Sequence, residues 1–339
     1  AAAVGGAARP PRRSGEPRRG VHVVLRQQHP QHGADDPRGG HAAQPHPTRA
    51  SEAPRDTTKG RSAPCSEASR SEASRSEEEE VEMINLVLLQ RLVRGHRIRL
   101  AVGLAVVVAW SLLFPVIYKA FVDQLDGRPT PPGNFSTLSG TISVGFIHPI
   151  SIALFGILSA GLTVGSISGE RQRGTLELLL SRPIPRRTIM ATMMLEGWIG
   201  ATFASAAYVL GTVIGAQIAG VSSELAFEQL PALFAAGTLF WGSFSTFAIA
   251  ASGSFDRTPP AMAITVSLIM ANYIVEVLGS FWDVMEPYQF LSLFNHFSPE
   301  GILDQTADPA EALIFVTLTA LSAAWAFYKF PRRDLAAPN

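Results

Sequence analysis

The sequence predicts an all-α polytopic membrane protein with six transmembrane helices, an N-terminal interfacial helix and one short helix in the loop after the second span. Three observations predict it. Of 339 residues, 47% are apolar and 17% charged, and the apolar residues are gathered into long runs rather than spread evenly. Six of these runs, at about 101–121, 143–169, 189–221, 231–254, 260–281 and 311–330, each supply the roughly 20 residues that cross a hydrocarbon core at 1.5 Å per residue. The basic residues fall on alternate loops.

Taken in order, residues 1–82 are rich in Arg, Pro, His, Gly, Ser and Glu and have no apolar periodicity, so they cannot bury enough surface to offset chain entropy. A near-repeat over Ser66–Arg70 and Ser71–Arg75 leads into the acidic run Glu77–Glu80. The first methionine is Met83. Two readings compete for this tail: a disordered cytoplasmic arm, or an upstream stretch foreign to the native product, with Met83 as its start. The second is preferred, because patterned sequence begins directly after Met83. His22, His29, His32, His41 and His46 are irregularly spaced, which favours chance over metal binding. No apolar core of signal-peptide length precedes residue 84. The single cysteine, Cys65, excludes an intramolecular disulfide and any paired-cysteine site.

Residues 83–100 read as an amphipathic segment. Ile84, Leu88, Leu89, Leu92 and Val93 share one side, and Gln90, Arg91, Arg94 and Arg97 another. This predicts a helix lying in the membrane interface with its arginines among the headgroups, and Gly95-His96 offers a break before the first span. The alternative is that it is only the frayed start of that span. The permease domain then occupies 101–333. Arg91, Arg94, Arg97 and Arg99, then Arg171, Arg173, Arg182, Arg186 and Arg187, then Lys329, Arg332 and Arg333 mark the cytoplasmic face, with both termini inside and the cell membrane as location. The opposite loops carry Asp123, Asp126 and Arg128, Glu224 and Glu228, then Asp283, Glu286, Glu300, Asp304 and Asp308, and are almost wholly acidic.

Two small-residue stripes, Gly161/Gly165/Gly169 and Gly211/Gly215/Ala219, predict close helix packing, inside one subunit rather than between two. Pro115 and Pro149 read as kinks or span ends. Lys119, His148 and Glu276 fall toward the outer ends of their spans and Glu196 toward the inner end of the third. A polar substrate pathway through His148 or Glu276 carries a smaller share than snorkelling or interfacial solvation. The segment 281–311 contains Trp282, Tyr288, Phe290, Leu291, Leu293, Phe294 and Phe297. It is too apolar for a free loop, and is expected to pack on the bundle or dip into the bilayer.

The chain is organised around the loop between the second and third spans. Leu176, Leu179 and Leu180 fall on one side of a short helix and Glu177 on the other, and Pro183 disfavours helix at Arg182, so the helix should end near Ser181. The run Gly169-Glu170-Arg171, Gly174-Thr175-Leu176-Glu177-Leu178-Leu179-Leu180-Ser181, Arg182-Pro183 and Arg186 resembles the cytoplasmic loop of ABC-2 type transporter permeases. A looser likeness continues through Leu291-Ser292-Leu293-Phe294 and Phe297-Ser298-Pro299. The resemblance implies that this loop forms a coupling helix seated in a groove of a separate cytoplasmic ABC ATPase. It also implies a homodimer or heterodimer of permeases, export as the direction, and ATP and magnesium bound by the ATPase rather than by this chain. Glu170, Arg171, Arg173, Gly174, Thr175, Leu176, Glu177, Leu178, Leu179, Leu180, Arg182, Pro183 and Arg186 are then the coupling residues, with the leucine face buried against the partner. Where the family often has a lysine shortly after the loop, this chain has Met193 and Met194 followed by Glu196.

The catalytic inventory is otherwise empty. Lys59, Lys119 and Lys329 are the only lysines, none preceded by the glycines of a phosphate loop. A metal-binding His-Glu-x-x-His helix and a Gly-x-Ser-x-Gly elbow are both missing from the sequence. The basic charge is spread along the membrane faces, which gives nucleic-acid binding little support. The expectation is a transporter membrane subunit without its own ATPase. A secondary transporter built from inverted three-span repeats is the main alternative, and a non-transporting membrane scaffold the third.

Overall fold

The structure is a computed structural model and describes residues 84–125, 135–181 and 184–332. The expectations for the tail over 1–82, Cys65, Met83, Asp126, Arg128, Arg182, Pro183 and Arg333 lie outside the described residues, as do those for the side chains of Glu177 and Leu180.

Every regular element among the described residues is helical. Helix α1 (Leu86–Gln124) is 39 residues long, about 58 Å at 1.5 Å per residue. Its start is set by Asn85, whose side chain accepts a hydrogen bond from the Leu88 N–H at 2.9 Å. The break expected at Gly95-His96 does not occur, and the helix also runs on through Pro115. Its first turns are held to the bundle rather than free to lie flat: Leu88 is buried, and the Asn85 N–H donates to Thr192 Oγ1 at 3.0 Å. Leu88 and Leu92 of this segment thus pack on protein, while Ile84 is exposed.

The second span differs most from expectation. It begins at Leu138 and is not one helix: α2 (Leu138–Ile147) and α3 (Pro149–Leu158) meet at a 56° bend. The reason is local. Pro149 forces His148 into extended backbone, and the His148 Nδ1 then accepts from the Ile150 N–H to cap α3. The chain breaks again at Ser159, runs through α4 (Ala160–Val164), widens into a π turn over Gly165–Gly169, and closes with α5 (Glu170–Gln172). Irregular backbone at membrane depth needs replacement partners. Ser252 provides them, donating its hydroxyl to the Val164 carbonyl at 2.7 Å and accepting from the Ser168 N–H at 3.0 Å.

The remaining spans match the expected runs within a few residues. Helix α6 (Leu176–Leu180) sits in the loop, followed by α7 (Arg186–Ala219), α8 (Leu230–Ser254), α9 (Thr258–Phe281), the short α10 (Pro299–Leu303) and α11 (Ala312–Lys329). Pro231, Pro259 and Pro309 stand in the first turns of their helices, where no N–H is needed. Among the described residues five single helices are long and apolar enough to cross a membrane, and the bent pair α2 and α3 makes a sixth span if counted as one.

Helix α7 pairs with α1 along its length. A methyl group at Gly211 or Gly215 would overlap the carbonyl oxygens of Val108 or Leu112, so this stripe packs inside the subunit, as expected. The other stripe does no such work. Gly165 has open space where a side chain would go, and Gly161 and Gly169 have only ordinary contacts.

At the opposite end from the loop, an aromatic core ties the bundle together. Phe240 stacks on Phe297 with centroids 4.5 Å apart and meets Phe294 and Phe315 edge-on. Phe146 stacks on Phe155, which stacks on Trp241. The segment 281–311 thus packs on the bundle through Phe294 and Phe297, while Trp282, Tyr288, Phe290 and Leu291 stay more than half exposed.

Candidate functional site

The loop between the second and third spans folds into a clip. Gly174 turns the chain with φ +71°, a conformation that a side chain would strain. Thr175 then donates its hydroxyl to the Glu170 carboxylate, and Arg173 Nη2 lies 2.6 Å from Glu170 Oε1. Burial raises the Glu170 pKa, but the hydrogen bonds from Thr175 and Arg173 outweigh it and hold the carboxyl below its usual value. Arg171 reaches across to Asp256, 2.7 Å away in the turn between α8 and α9. Arg186 Nη1 donates to the Pro331 carbonyl at 3.1 Å, tying the start of α7 to the end of α11.

Helix α6 stops at Leu180, as the sequence predicts, but its leucine face is turned the other way. Leu176 is 2% and Leu179 9% exposed. Both are packed into a second core with Leu88, Ile167, Met190, Met193 and Phe330. Those leucines cannot also be the surface offered to a partner. Among the described side chains of this helix, Leu178, 70% exposed, is the apolar one that faces outward, flanked by the exposed Gln172, Arg173 and Ser181. The sequence showed that one side of this turn is apolar; it could not show that the chain's own core covers that side. Met193, where the resemblance led one to look for a lysine, is part of the floor under the clip. Between the clip and α1 lies a cavity of about 280 Å³ lined by Arg91, Leu92, Glu170 and Leu178 among others.

One buried group near the clip went unrecognised as a site in the sequence. Glu196 is 2% exposed, with Oε1 2.7 Å from His96 Nδ1 and Oε2 accepting from Ser166 Oγ at 3.0 Å. This carboxylate joins α1, the π turn and α7 at one point. Its signal was an acidic residue inside an apolar run, but its partner lies 100 residues away on a segment expected to leave the bundle.

The two candidate pathway residues at the other end are engaged separately. His148 caps α3 and lies against Trp110, with ring centroids 5.0 Å apart. Glu276 belongs to α9, and its backbone carbonyl accepts from Gln289 Nε2 at 3.0 Å. Neither aims at the other. Lys119 is paired with Asp123 one turn along α1, at 2.6 Å.

The profile of the family described as ABC-2 family transporter protein matches residues 76–335, more than half of the chain. No curated protein matches it.

Proposed function

The chain belongs to the ABC-2 transporter family, and on that footing we propose that it is a permease driven by a separate cytoplasmic ABC ATPase docked on the clip, and that it moves its substrate outward. ATP and magnesium are held by that ATPase, since this chain has no phosphate loop of its own. The clip faces the cytoplasm together with both termini, in the cell membrane, and two permeases act as a pair.

One observation carries the coupling assignment. Leu178 is 70% exposed on a helix whose neighbours Leu176 and Leu179 are locked into the core. A large apolar side chain held outward on an anchored turn, beside the basic Arg173, suits insertion into a groove of a soluble partner. A topology-setting loop needs only the arginines. The inverted-repeat alternative is less well supported. It would pair the second span with the fifth, yet the second is bent by 56° and carries a π turn while α9 is a single uninterrupted helix.

The test uses single cysteines in a background lacking Cys65. A cysteine at Leu178 should crosslink to the co-expressed ATPase, and one at Glu300 should not. Cysteines at Arg173 and Glu300 should react with an impermeant reagent from opposite sides of the membrane. Absence of ATPase crosslinking from a correctly inserted protein overturns the docking assignment, and labelling from one side overturns the topology.

A further inference from the structure

At the end of the bundle away from the clip lies a cavity of about 500 Å³. It is formed by the first turns of α8, the segment 296–309 and the start of α11. That size lies within the range of small-molecule pockets. Its walls are apolar, with Ala235, Leu239, Ile302 and Phe315, and among the described residues its ionisable lining consists of His296, Asp308 and Glu311, with no lysine or arginine.

His296 Nε2 is 2.8 Å from the Phe290 carbonyl oxygen, which only accepts, so Nε2 holds the proton and donates. In the neutral imidazole Nδ1 then carries a lone pair, and that atom is buried without a hydrogen-bond partner. It faces Glu311 Oε1 at 3.9 Å, too far for a hydrogen bond between them. Two acceptors thus converge on one gap beside an apolar wall. Gln305, also in the lining, has φ +61°, the one positive φ outside glycine among the described residues; it closes the end of α10, where the Thr306 N–H donates to the Gly301 carbonyl at 2.7 Å.

We propose that this cavity binds an amphipathic organic ammonium ion. Its N–H groups are shared between Glu311 and His296 Nδ1, and its apolar body lies against Leu239, Ile302 and Phe315. Charge selects the class: Asp308 and Glu311 attract a cation, and the described lining holds no lysine or arginine to receive an anion. Shape requires the apolar body, since a small ammonium ion would leave most of the cavity empty. The proposal concerns the chain alone and does not depend on the ATPase reading.

The experiment places the full chain in nanodiscs of phosphatidylcholine and titrates dansylcadaverine, a primary ammonium on an apolar body, following its fluorescence against empty discs. Saturable binding to the protein-containing discs is expected. An analogue with a pentyl chain in place of the aminopentyl chain should bind at least tenfold more weakly. Glu311→Gln should weaken the ammonium probe at least tenfold while leaving the pentyl analogue unchanged, and Ala235→Phe, at an exposed wall position, should block both. Should Glu311→Gln not purify as a monodisperse protein, the pentyl comparison and Ala235→Phe decide. Binding no greater than to empty discs, or equal affinity for the charged and uncharged probes, overturns the proposal; the latter would mark a pocket for lipid tails.

Discussion

Leu176 and Leu178 stand two residues apart on α6, and truncating each to alanine should separate folding from coupling. Leu176 is 2% exposed among Ile167, Met190 and Phe330, so Leu176→Ala leaves a cavity and should cost about 2–5 kcal/mol of stability. Leu178 is 70% exposed. Full burial of a leucine is worth about 1.5–3 kcal/mol, so its buried share inside the chain is worth less than about 1 kcal/mol, and the share left for a partner about 1–2 kcal/mol. That share corresponds to roughly a 5- to 30-fold change in affinity. Leu178→Ala should therefore melt like the wild type in detergent but bind the purified ATPase about 5- to 30-fold more weakly. Leu176→Ala should melt lower, and its surviving folded fraction should bind more nearly as the wild type does. The two assays are thermal melting followed by size-exclusion chromatography, and ATPase titration onto permease in nanodiscs. Unchanged ATPase affinity in Leu178→Ala, with wild-type insertion, refutes the assignment of the outward face.

Removing His96 by alanine leaves the Glu196 Oε1 atom buried without its partner and should lower stability by about 1–3 kcal/mol. Ser166→Ala should cost less, and a double-mutant melt close to the sum of the two singles would show that the cluster is not coupled. Gly215→Leu should prevent recovery of folded protein by driving a side chain into the Leu112 backbone, whereas Gly165→Ala, with open space around it, should purify normally; equal yields of both would contradict the helix pairing. For the clip, the Glu170 pKa is lowered by its hydrogen bonds. A carboxylate depressed in the folded state contributes stability above its unfolded value and loses it as pH falls through the folded value. Proteolytic protection of the clip should hold from pH 7 to pH 5 and decline only below about 4.5, and Glu170→Gln should remove that decline. A loosening that begins above pH 5 would show that another group controls it.

The spans were legible where apolar runs and helix boundaries coincide. Helix α7 ends at Gly220, which adopts φ +72°, and α8 and α9 begin at prolines, so composition and backbone geometry mark the same places. In the second span they do not. The run 143–169 is apolar throughout, but hydropathy records the solvent a residue prefers, not the continuity of its hydrogen bonds. The π turn exists because Ser252, 84 residues from Ser168, meets its freed backbone groups. The clip was legible as a motif, and its amphipathic turn as a pattern. Which side is covered depended on Leu88 and Phe330 arriving from the two ends of the described chain. Reading Gly95-His96 as a break moved α1 away from the bundle, and with it His96 away from Glu196. The far cavity had no sequence signature, since its two converging acceptors, His296 and Glu311, are set together only by the packing of α11 against α8.

A push on the clip would not be absorbed there. Leu176 and Leu179 lock it to the core, Arg171 ties it to the α8–α9 turn, and the chain that leaves it enters α7, a 34-residue helix set against α1 by glycines too closely packed to slide without clash. The chain that enters it is different. Within 25 residues upstream lie the π turn and the break at Ser159, and beyond them the bend at Pro149. The irregular backbone next to the clip therefore lies in the second span. Serines support it: Val164 O accepts from both Ser168 Oγ and Ser252 Oγ, each at 2.7 Å, so one hydroxyl can let go while the other keeps the carbonyl paired. An ordinary helix has no such spare partner, and shifting it by one residue would leave a backbone group bare in the membrane. Further along this span is the α2–α3 bend, where Trp110 Nε1 donates to Ser151 Oγ at 2.7 Å and Phe146 and Phe155 enter the aromatic core.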